Sequence, residues 1–124
     1  MELDRRTCET EQVLFQPGSF MKGGGTGPAS VLLRDAAVRA ASHSHSGVDA
    51  IIAVLGHDCS FENEGVDRSD DELGLPPTQL KLLQALSLAA ATEKTPLILV
   101  LVNGMAVSTP WASKNIPVAS PIQK

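Results

Sequence analysis

Ala50-Ile51-Ile52-Ala53-Val54-Leu55 is a continuous apolar run of strand length that stops at Gly56. A run with no polar alternation suits a central strand of a parallel sheet, covered on both faces. Leu97-Ile98-Leu99-Val100-Leu101-Val102 repeats the pattern and ends at the turn pair Asn103-Gly104. Between the two runs, Pro76 and Pro77 stand at the entrance of a segment in which Leu80, Leu83, Leu86 and Leu88 to Ala91 recur behind them. Proline is favoured at the first helical position, where its missing N–H is not needed. The order strand, helix, strand therefore predicts parallel neighbours joined by a right-handed crossover.

Working outward, Ala29 to Ser42 carries Leu32, Leu33, Ala36, Ala37 and Ala40 at three- and four-residue spacings, with Arg34, Asp35 and Arg39 between them. That spacing predicts a helix with one buried stripe. Ahead of it, Met21 to Pro28 holds Gly23, Gly24, Gly25 and Gly27 and reads as a loop, and Val13 to Phe15 reads as a brief strand closed by Pro17 and Gly18. His43 to Gly47 supplies turn residues, and Trp111 to Lys114 opens a last helix. The expected class is α/β: a three-layer α/β sandwich with a mostly parallel sheet, incomplete as written. The expected organisation is an amino-terminal strand and glycine-rich linker over 1–28, a partial domain over 29–115 and a tail over 116–124.

With 124 residues and 43% hydrophobic content, the chain is long enough for one core and too short for two ordinary domains. Three Phe, one Trp and no Tyr leave little aromatic surface for stacking bases, and a net charge of −4 opposes a phosphate-binding face. No nucleic-acid partner is expected. Met1 to Thr10 is charged and polar, unlike a secretory signal, and no apolar run approaches a membrane span. No membrane partner is expected, and the sequence names no compartment. Cys8 and Cys59 have no spacing that implies a disulfide framework or a metal knuckle.

Ligands of parallel sheets sit beyond the carboxyl ends of the strands, and the long stretch Gly56 to Pro77 leaves from such an end with seven acidic residues. It reads Gly56-His57-Asp58-Cys59-Ser60-Phe61-Glu62-Asn63-Glu64-Gly65-Val66-Asp67-Arg68, followed by Leu75-Pro76 and Gln79. This resembles the carboxy-terminal α/β-sandwich domain of family 3 glycoside hydrolases, in the β-xylosidase and β-glucosidase branch. The pattern there is an apolar strand, then G-x-D-x-S-x-E-x-E-G-x-D-R, L-P-x-x-Q, a helix and a second strand ending N-G-x-x-V. Gly56, Asp58, Ser60, Glu62, Glu64, Gly65, Asp67 and Arg68 meet the fixed positions in order, and Asn103, Gly104 and Val107 close the second strand. The resemblance covers roughly Val48 to Lys114.

The resemblance implies hydrolysis of O-glycosidic bonds by a retaining mechanism. A barrel domain would supply an Asp nucleophile and this domain the general acid/base, since the reaction needs two opposed carboxyl groups. Glu62 matches the acid position, with Glu64 as the alternative. Each carboxylate disfavours ionisation of the other, which suits an acid catalyst. Asp67 and Arg68 are the expected substrate-binding or loop-orienting pair. The implied partners are a β-linked oligosaccharide or glycoside and a barrel domain in the full-length or a neighbouring polypeptide. No cofactor and no metal are implied. The family domain continues beyond the Trp111 helix into another strand and a second ligand loop, whereas here 116–124 ends the sequence. The expectation is a fragment, inactive alone, with a non-catalytic carbohydrate-binding or scaffold remnant as the alternative.

Other signals carry less. His43 and His45 lack further ligands at metal-site spacing and are expected to be turn residues. Cys59 lies beside His57 and Asp58, yet side chains two apart seldom meet in reacting geometry. Gly23 to Gly27 precedes a helix, but it lacks the Lys-Ser/Thr of a P-loop and the G-x-G-x-x-G spacing, so a nucleotide-binding α/β module is the minor alternative.

Overall fold

A computed structural model describes residues 15–18, 27–42, 48–57, 73–104 and 106–116. Helix α1 spans Pro28–Ala41, strand β1 Ile51–Gly56, helix α2 Pro77–Glu93, strand β2 Leu97–Val102 and helix α3 Pro110–Asn115. Each helix has a proline in its first turn. There the N–H is an orphan donor in any helix, so its absence costs nothing and the fixed φ favours initiation. At its far end α2 closes on Lys94 in the left-handed region (φ 56, ψ 33), and the Thr95 N–H donates to Ala90 O at 2.9 Å. The Lys94 N–H donates to the same carbonyl, so the last turn closes on a shared acceptor.

β1 and β2 are parallel and in register, with Ile51 beside Leu97 and Gly56 beside Val102. Ile51 N–H donates to Pro96 O at 2.8 Å where the ladder begins, and His57 N–H donates to Val102 O at 3.1 Å where it ends. The α/β class and the parallel pairing through α2 are as the apolar runs predict. The predicted brief strand over 13–15 falls largely outside the described residues, and its last residue, Phe15, is exposed and in no element.

The core is the seam between α2, α1 and one face of the sheet. Leu82, Leu83, Leu86 and Ala90 of α2 cluster with Ala37 and Ala41 of α1 and with Ile51, Ala53 and Leu55 of β1. Leu83 is completely buried, and burying such a side chain stabilises the fold by about 1.5–3 kcal/mol. Gly18 fits the same seam because a Cβ there would stand 2.6 Å from the Leu82 side chain and 3.2 Å from that of Ala37.

Burial on both faces of the strands is not found among the described residues. β1 alternates, with Ile51, Ala53 and Leu55 buried while Ile52 and Val54 are 62% and 61% exposed. Ile98 and Val100 of β2 are exposed between the half-buried Leu97 and Leu99, and at its end Leu101 and Val102 are both exposed. The reason is geometric: successive side chains of a strand point to opposite faces, and α2 covers one of them. Apolarity made both faces suitable for burial without supplying a second cover.

Candidate functional site

The carboxyl ends of β1 and β2 meet at Gly56 and Val102. Gly56 has φ +154, and a Cβ on it would lie 1.8 Å from Val102 O. Only glycine fits this approach, because an L side chain would meet both an unfavourable backbone conformation and the neighbouring carbonyl. The chain turns out of the sheet here.

Three sets of hydrogen bonds hold the exit. Gln79, in the first turn of α2, accepts from Gly56 N–H with Oε1 and donates to Gly56 O with Nε2, both at 2.8 Å. His57 Nε2 lies 3.0 Å from Gly74 O. A carbonyl can only accept, so Nε2 carries the proton in this bond. Beyond it, Ser108 N–H donates to Leu73 O at 2.7 Å, and Gly74 forms a parallel bridge with Ser108. His57 and Gly74 are seventeen residues apart in sequence and in direct contact in the fold. The segment that leaves the sheet after His57 thus returns to the place it left, and the segment following β2 is stitched to its returning foot.

Glu62, Glu64, Asp67 and Arg68 all belong to that segment and lie outside the described residues, as do His43, His45, Cys8 and Cys59. The structure brings together the feet of the acidic segment at the carboxyl end of the sheet and describes none of those four side chains. The residues that do the holding are Gln79, His57 and Gly74, and none of them is a candidate site residue of the sequence pattern. Gln79 stood in the L-P-x-x-Q pattern, yet a polar residue at the start of a helix is ordinarily solvated; here it is 1% exposed. His57 neighbours Cys59 in sequence, whereas its Nε2 faces the Gly74 carbonyl.

Among the described residues no group of three or more His, Cys, Asp or Glu is placed to hold a metal ion, and no helix is long and apolar enough to cross a membrane. The ion pair Arg34–Asp35, at 3.0 Å, joins adjacent residues on α1 and is partly solvated. Such pairs contribute little to stability.

Over 115 residues, 91% of its length, the chain is 32% identical to probable β-D-xylosidase 7 of Arabidopsis thaliana. The similarity is to part of a glycosidase. The chain spans 14% of that protein's length. No family model matches the chain and no solved structure matches it.

Proposed function

We propose that this chain is the acid/base-bearing portion of a retaining β-glycosidase of the family 3 type, acting on a β-xyloside or β-glucoside. The observation that carries the reading is the root of the acidic segment: residues 57 and 74 are tied together at the carboxyl end of a parallel sheet, where ligands of such sheets bind. The ordered motif in that segment and the similarity to a β-D-xylosidase support it. Residues 29–115 are the domain in question, preceded by the linker over 1–28 and followed by the tail.

In this reading an aspartate on a separate barrel domain attacks the anomeric carbon while Glu62 gives its proton to the departing oxygen, so the C–O bond breaks as the glycosyl ester forms. The resulting Glu62 carboxylate then takes a proton from water, whose oxygen bonds to the anomeric carbon and releases the aspartate. Glu64 keeps Glu62 protonated by like-charge repulsion, and is the alternative acid. Asp67 and Arg68 grip sugar hydroxyls or brace the segment.

The test is a transplant. Residues 48–114 of this chain, exchanged into the matching stretch of the plant β-D-xylosidase, should retain hydrolysis of an aryl β-xyloside, and Glu62→Gln in the hybrid should slow substrates with poor leaving groups about 10²–10⁴-fold. A fully active Glu62→Gln hybrid whose Glu64→Gln counterpart is dead moves the acid to Glu64. Both variants fully active would sink the proposal. The isolated chain should not turn over nitrophenyl glycosides, because the opposed carboxylate is on the partner.

The second reading is that the chain binds carbohydrate or serves as a scaffold without catalysis. It predicts a folded hybrid with no hydrolysis.

A further inference from the structure

Gln79 is the one fixed polar position of the sequence pattern, among the described residues, that is buried and that the acid/base reading leaves without work. Its amide is engaged twice with the backbone of a single residue, Gly56, as acceptor from the N–H and as donor to the carbonyl. It thus does for Gly56 what the backbone of another strand would do, from a helix twenty-three residues further along. Two antiparallel bonds on one residue fix its orientation as well as its position. Gly56 is the last residue of β1, and its φ of +154 directs the chain out of the sheet. His57, next along, is tied to Gly74, so the orientation set at Gly56 is carried to the returning foot as well.

We infer that Gln79 is a positioning residue of the glycosidase site, holding the root of the acidic segment at a fixed angle to the sheet. The inference rests on the acid/base reading of that segment and goes beyond it by naming what aims the acid. A merely structural Gln79 would satisfy two backbone groups and leave the acids indifferent to its loss.

The experiment uses the whole chain with labelled glutamate carboxyls and backbone amides, followed by NMR titration. In the wild type, Glu62 and Glu64 are expected to titrate apart by about one pH unit or more, as paired carboxyls do. Gln79→Met keeps length and volume and removes both bonds; the two titrations should then converge while the α2 and β2 amide resonances stay in place. Gln79→Glu supplies a switch within one molecule. A protonated carboxyl offers one donor and one acceptor, as an amide does, whereas an ionised one offers acceptors only and faces the Gly56 carbonyl. Its burial favours the neutral form. Below the titration of the new carboxyl the amides of Gly56, His57 and Gly74 should match the wild type, and above it they should depart together, with exchange faster by about tenfold or more.

Separated titrations in the wild type that persist in Gln79→Met overturn the positioning role and leave the acid/base reading standing. Wild-type carboxyls that titrate together as ordinary glutamates overturn both. Should Gln79→Met fail to fold, the Gln79→Glu titration decides: His57 and Gly74 amides that ignore its ionisation overturn the inference.

Discussion

The carboxyl end of the sheet and its uncovered face are built from neighbouring residues and obey different rules. At the end, Gly56, His57, Gly74 and Gln79 are joined by directed hydrogen bonds at 2.8–3.0 Å, and a single added methyl group would collide with Val102 O. On the open face, Ile52, Val54, Ile98 and Val100 form a smooth β-branched surface that nothing described covers. The first region admits one geometry because hydrogen bonds are directional and a buried unpaired group is costly. The second tolerates much, because the hydrophobic effect has no direction and there is nothing to fit. Precision in this molecule is concentrated where the acidic segment leaves the sheet.

Four substitutions break or sharpen that contrast, each read by urea denaturation of the whole chain. Gly56→Ala should do most harm, about 4 kcal/mol, since overpacking against Val102 O adds to backbone strain; a loss below 1 kcal/mol would show that the exit is not tightly specified. Leu83→Ala, on the covered face, should cost about 3 kcal/mol through the cavity it leaves. His57→Leu should cost about 1.5 kcal/mol by leaving the Gly74 carbonyl without this donor. The smallest change belongs to Ile52→Thr, expected within about 0.5 kcal/mol for a solvent-facing position. A loss near that of Leu83→Ala would mean that the face is covered in solution, and the contrast would dissolve.

The strands were legible because a six-residue apolar run declares itself without context, and the start of α2 because proline can open a helix and rarely continues one, whereas Pro28 and Pro110, which open α1 and α3, are not used in the sequence reading. Burial was misread for an equally plain reason. A composition states which surfaces can be buried and is silent on what lies against them, so Ile52 and Ala53 looked alike until α2 was seen on one side only. The exit of the acidic segment from the carboxyl end of the sheet was legible from topology, since Gly56 ends a parallel strand. The lock was not. Gln79 acquires its role only when α2 folds back over β1, and no local property of the sequence marks that encounter. The acidic residues themselves are nominated by an ordered pattern alone, with periodicity and charge adding nothing that distinguishes Glu62 from a solvated surface acid.

The parallel pairing has a kinetic consequence. Each residue of β1 meets a partner 46 positions later, as 97 − 51 gives for the first pair, so no part of the sheet can form as a local hairpin. A chain made at 5–20 residues per second therefore holds β1 waiting roughly 2–9 s before β2 exists. Among the described elements, those available in that interval to shield Ile51, Ala53 and Leu55 are α1 and α2, and α2 is itself the connection that must be laid down first. The order of synthesis thus favours a helix-first route, in which the strand rests on α2 until its partner arrives and the turn at Gly56 is closed last.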